Sequence, residues 1–130
     1  MLNSIDKIIE QIYRLEAQLL SRTASGVIMA DPHTLSETIA KISVLLAQLV
    51  DPIFDAELSY KQSRAKKYDD LLKKGEKKSP AAEAMRFDPE LIKMENDVER
   101  IRNFIKRTEQ IISTTQTHIR VQSGIARNEL

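Results

Sequence analysis

Between Leu91 and Ile119, apolar side chains return at alternating steps of three and four residues: Leu91, Met94, Val98, Ile101, Ile105, Ile112 and Ile119. Thr108, Thr115 and Gln122 occupy the remaining places in the same repeat. A seven-residue period held this long fits an α-helix that lays one seam against other helices in coiled-coil fashion. A strand would turn alternate residues to opposite faces and break the seam apart. The polar members of the repeat weaken packing but can set register or partner number. A third option is that this end of the helix is not buried within the protomer.

The rest of the chain is punctuated for helices as well. The dipeptide Asp-Pro occurs at 31–32, 51–52 and 88–89. An aspartate can accept the free amides of a first turn, and proline suits the first helical position. The expected helices cover about 4–23, 32–50, 52–74, 80–86 and 89–123. Ile5, Ile8, Ile12, Leu15 and Leu19 form the stripe of the first, widened by Ile9 and Leu20. Leu35, Ile39, Ile42, Leu45, Leu46 and Leu49 make the second the most apolar. At Pro52 the chain is expected either to start a new helix or to bend sharply, because proline within a helix costs about 3 kcal/mol. Ile53, Phe54, Leu58, Ala65, Tyr68, Leu71 and Leu72 are the apolar residues of the third, and Gly75 is its expected stop. The apolar segment after Gly26, residues 27–30, reads as a short connector or a tucked turn. A basic loop covers 73–80.

Glycine and proline are scarce, tryptophan is absent, and the length suits one domain. The fold class is therefore all-α: a single helical domain over residues 1–130, an antiparallel bundle or an elongated helical hairpin of three to five helices with coiled-coil-like packing.

Catalytic chemistry finds little support. With no cysteine, disulfides, iron–sulfur clusters and thiolate zinc sites are excluded. His33 and His118 lie far apart and read as structural or solvent-facing. There is no Gly-x-Ser-x-Gly elbow, and glycines at 26, 75 and 124 build no phosphate cradle. Acidic pairs such as Asp69 and Asp70 read as solvated helix faces. No enzyme activity, metal, cofactor or small-molecule substrate is expected. The first twenty residues are amphipathic and carry acids, unlike a signal peptide. No run approaches the ~18 apolar residues of a membrane span. A cytoplasmic protein with no membrane association is the expectation.

Charge is unevenly spread. Residues 1–60 carry eight acidic and four basic side chains, while 61–130 carry eleven acidic and sixteen basic. Lys61, Arg64, Lys66, Lys67, Lys73, Lys74, Lys77 and Lys78 concentrate this excess, with Tyr68 among them. Cations interleaved with aromatics suit phosphate contact with base stacking, or an acidic protein partner. The apolar stripes exceed what a thin hairpin buries, so a homo-oligomer or a stable protein partner is expected, with nucleic acid as a further candidate.

Tyr68, Leu71 and Leu72, the glycine at 75 and the alanines at 82 and 84 precede the long charged helix. Over residues 57–122 this arrangement resembles small all-helical accessory proteins of phage and prophage early gene clusters, which serve recombination and replication. The resemblance implies a non-catalytic helical accessory or adaptor protein acting through protein–protein contacts on DNA metabolism or host defence. The residues themselves leave two alternatives: direct nucleic-acid binding through the 61–78 tract, or a structural, scaffold-forming oligomer.

Overall fold

The computed structural model describes residues 2–21 and 31–129, and the 26–30 segment together with the expected first-helix end at 23 lies outside them. Four α-helices account for almost all of the described residues, and none of these is in a strand: α1 (Leu2–Leu19), α2 (Pro32–Lys73), α3 (Lys78–Arg86) and α4 (Pro89–Glu129). The protein is all-α.

Two of the three Asp-Pro dipeptides start helices. The Asp31 carboxylate accepts the Thr34 amide at 2.8 Å and the Thr34 hydroxyl at 3.2 Å. Those bonds, the amide first, hold its pKa below the ordinary value. Asp88 likewise accepts the amides of Glu90 and Leu91, at 3.0 and 3.1 Å. Asp51–Pro52 does something else. Pro52 lies inside α2, which runs unbroken from Pro32 to Lys73, so the helices expected at 32–50 and 52–74 are one. Proline removes the bond that an amide at 52 would donate to Gln48, and its ring crowds that carbonyl. The buried residues Leu49 and Ile53, four apart, keep the apolar face continuous past it. Burying two large aliphatic side chains contributes about 1.5–3 kcal/mol each, enough to offset the proline.

Helix α2 ends in a Schellman turn. Gly75 adopts φ +91, its amide bonds Leu72 O, and the Glu76 amide bonds Leu71 O, both at 3.1 Å. A side chain at that φ would be strained, which is why glycine is required there. Only a short link separates α2 from α3, and Lys78, expected in the basic loop, already belongs to α3.

The chain packs as two compact units, which divide α2 after Val50 and α4 before Phe104. The first consists of residues 1–50 and 104–130. Its interior holds Ile5, Ile9, Ile12 and Leu19 from α1, Leu35, Ile39, Ile42 and Leu49 from α2, and Phe104, Thr108 and Thr115 from α4. Helix α1 runs parallel to α4 here. Tyr13 meets Phe104 and, three residues on in both helices, Glu16 meets Arg107. Thr108 and Thr115 are therefore buried inside the protomer, which rules out an uncovered end at these positions. The Thr115 hydroxyl donates back to Ile111 O at 2.8 Å, as Thr38 does to Thr34 O at 2.9 Å, so neither needs a partner across the core.

The second unit consists of residues 51–103. Ile53, Ala81, Met85, Leu91 and Ile101 form its small core. Here α2 and α4 run antiparallel: Glu57 is held by Arg102, Tyr60 by Glu95, and Lys67 by Asp88 and Glu90. In this unit the α2 residues at least partly covered are Pro52, Ile53, Ala56, Glu57, Tyr60, Ser63, Lys67, Tyr68, Leu71 and Leu72, and Ile53, Ala56, Tyr60, Ser63, Lys67 and Leu71 mark the stripe at steps of three and four. Phe54, Leu58 and Ala65, which the sequence pattern places in the apolar set, are exposed instead. The stripe that enters from Leu49 fixes which face turns inward, and these three fall outside it.

The burial pattern makes Ile42→Ala costly, by about 2–5 kcal/mol, because Ile42 is fully enclosed. Val44→Ala, at a position 60% exposed, stays within about 0.5 kcal/mol of the parent. Urea denaturation of both variants checks this, and equal losses would mean the inward face of α2 is misassigned.

Candidate functional site

The long seam of α4 faces the chain itself. Leu91 and Ile101 are buried, and Met94, Val98, Ile105, Ile112 and Ile119 are half-buried. None of the seven is exposed, so the protomer's own packing takes up a seam that sequence alone leaves open to a second copy.

In the first unit the seam carries a polar cluster. Glu16, 2% exposed, accepts the Thr108 hydroxyl at 2.6 Å and the Arg107 guanidinium at 2.7 Å. The guanidinium carbon lies 4.9 Å from the Tyr13 ring centre and 5.9 Å from that of Phe104. The two rings meet edge to face, 5.1 Å apart. A buried carboxylate needs both a counter-charge and hydrogen bonds, and this one has both. The arrangement ties α1 to α4 in one register. Glu16 was not among the residues picked from sequence, although a signal for it exists. Ile5, Ile9, Ile12, Glu16 and Leu19 follow steps of four, three, four and three, and all five are buried. The glutamate occupies a core position of that heptad. At the same end of the seam, the His118 Nε2 and Gln122 Oε1 atoms are enclosed without a hydrogen-bond partner.

In the second unit the basic residues separate into groups. Lys67 is half-buried and fully engaged, donating to both Asp88 oxygens at 2.9 and 3.0 Å and to Glu90 at 2.9 Å. Its pKa is raised, chiefly by the Asp88 bond, and that of Asp88 is lowered, chiefly by the Lys67 bond. Lys67 is thus a clamp between α2 and the start of α4, not a free cation. Tyr68 is half-buried, and the Tyr60 hydroxyl donates to Glu95 at 3.3 Å. Neither tyrosine is fully exposed. Lys61, Arg64, Lys66, Lys73, Lys74, Lys77 and Lys78 are exposed.

Arg64 and Arg86 line a cleft of about 430 Å³ in this unit. Met85 and Leu91 supply its apolar wall, Ile92 its rim, and the Tyr60–Glu95 pair completes the lining. No ion pair holds either arginine among the described residues. Two planar cations beside an apolar surface suit a carboxylate-bearing, partly apolar ligand. Arg86 and Ile92 were not singled out from sequence; only the α3–α4 turn brings them to Arg64.

His33 is not isolated: its Nε2 lies 3.0 Å from Glu37 Oε1, one helical turn away. Among the described residues no three His, Asp or Glu side chains form a group able to hold a metal ion. No helix among them is long and apolar enough to cross a membrane. No family model, curated protein or solved structure matches the chain.

Two predictions arise. In the Glu16 cluster the half-exposed Arg107 can rehydrate if its partner is removed, whereas the enclosed Glu16 cannot. Arg107→Met therefore destabilises more than Glu16→Leu, toward the lower end of ~3–5 kcal/mol, and the double variant recovers part of that loss. Denaturant midpoints of the three variants test this, and a larger loss in Glu16→Leu would contradict it. At the Lys67–Asp88 pair, the lowered Asp88 pKa means folding favours the ionised carboxylate. That contribution is complete above about pH 4 and disappears as pH falls through the native value. The gap in melting temperature between the parent and Asp88→Asn should hold from pH 8 to about 4 and close in stronger acid. A gap unchanged at pH 2 would show that the charge is not its source.

Proposed function

We propose that the chain is a non-catalytic helical adaptor that works through protein–protein contact, its binding surface centred on the Arg64–Arg86 cleft. The supporting observation is the pairing of two arginines outside any ion pair with an exposed apolar residue on a helical scaffold. Ile92 is 41% exposed and Phe87, on the link into α4, is 70% exposed. Arginine and large apolar groups together are the anchors that protein interfaces favour. The partner segment this suits is acidic and partly apolar. Lys66, Lys73, Lys74, Lys77 and Lys78, exposed in the same unit, add positive charge that speeds the approach of an acidic partner. A place in DNA metabolism or host defence of a phage or mobile element follows from the resemblance over residues 57–122, and is proposed on that basis.

Direct nucleic-acid binding is the second reading, supported by the same exposed lysines. The engagement of Lys67 with Asp88 and Glu90 weighs against it, since phosphate contact needs free cations.

Binding of acidic amphipathic peptides and of single- and double-stranded oligonucleotides at low salt, followed by fluorescence anisotropy, separates the two. On the adaptor reading, Arg64→Ala and Arg86→Ala each weaken peptide binding about tenfold. Oligonucleotide binding with a steep salt slope, abolished by joint substitution of the exposed Lys66, Lys73, Lys74 and Lys77 and untouched by the arginine variants, would replace it.

A further inference from the structure

Between Asp51 and Ala65, α2 presents to solvent a face that its own unit leaves uncovered. Phe54 is 64% and Leu58 44% exposed. Asp51, Lys61 and Ala65 are exposed as well. Asp51, Phe54, Leu58, Lys61 and Ala65 follow steps of three, four, three and four, so they share one line along the helix. Its first four members run acid, aromatic, aliphatic, base. Turned end for end, the same line runs base, aliphatic, aromatic, acid. Neither Asp51 nor Lys61 has an ion-pair partner among the described residues, and the neighbouring Glu57 is already held by Arg102.

We propose that this face pairs with the same face of a second copy of the chain. The two α2 helices run antiparallel about a two-fold axis level with residue 56. In an antiparallel pair the two seam positions of the repeat fall in one layer. Phe54 then meets Leu58 of the partner subunit, and Asp51 meets Lys61 of the partner subunit. Each contact occurs twice, as two-fold symmetry requires. A parallel pair would oppose Asp51 to Asp51 and Lys61 to Lys61, so charge selects the antiparallel arrangement. Ten residues from Asp51 to Lys61 span about 15 Å. A contact this short lies at the small end of interface sizes, which makes the dimer weak and concentration-dependent. The inference does not rest on the Arg64–Arg86 reading, since neither arginine belongs to this line.

The test is sedimentation equilibrium of the full chain at low salt over rising concentration. The parent chain dimerises, and Phe54→Ser, Asp51→Lys and Lys61→Asp each raise the dissociation constant about tenfold or more. An equimolar mixture of the Asp51→Lys and Lys61→Asp chains associates again, because each supplies the charge the other lacks. Circular dichroism should show unchanged helix content, the altered side chains being exposed. The chain has no cysteine, so orientation can be read directly. Asp51→Cys mixed with Lys61→Cys gives the mixed disulfide on oxidation, and neither variant alone crosslinks. A parent chain monomeric up to about 1 mM would overturn the proposal. So would association indifferent to Phe54→Ser and Asp51→Lys, or a disulfide formed by Asp51→Cys alone.

Discussion

A 41-residue helix with an apolar seam cannot stand alone in water, and covering α4 is the constraint on which the remaining packing depends. Helices gain most of their stability from burial of one face, not from propensity. In the second unit, α2 and α3 cover the seam around Leu91 and Ile101. In the first, α1 and the opening of α2 cover it from Phe104 onward. Each unit achieves this by different chemistry.

The first unit is rich in isoleucine and leucine and can include a carboxylate. Glu16 displaces apolar volume from the α1 heptad, a loss in packing terms. What it provides is direction. An apolar seam of similar residues slides with little penalty, whereas one carboxylate facing one threonine and one arginine has a single favourable register. That it also fixes α1 parallel to α4 follows from the Tyr13–Phe104 contact one turn before it.

The second unit has fewer large apolar residues inside and relies on ties at its surface. Glu57–Arg102, Tyr60–Glu95 and Lys67 with Asp88 and Glu90 join the antiparallel helices at intervals along their length. Where α2 turns Ala56 and Ser63 toward α4, little apolar area is available, and charged pairs take over the positioning. The same rotation of α2 leaves Phe54 and Leu58 in solvent. It also detaches Lys67 from the basic tract, so a run of cations that looks uniform in sequence contains one structural clamp and several free surface charges.

Helical class was determined by the sequence itself, because the seven-residue repeat of α4 and the Asp-Pro starts at 31 and 88 act within one or two turns. Gly75 belongs with them, since a positive φ is a property of that residue's own backbone. Three matters needed the tertiary structure. Pro52 stands within a helix because burial of Leu49 and Ile53 offsets the lost hydrogen bond and the crowding of the preceding turn, and neither burial exists until other helices arrive. Glu16 became a core residue because Thr108 and Arg107, some ninety positions away, reach it. The Arg64–Arg86 cleft arises only when the α3–α4 turn carries Arg86 back to α2. Local chemistry decides where helices start and stop. Which face of each turns inward is decided by partners distant in sequence, whose contributions no local pattern contains.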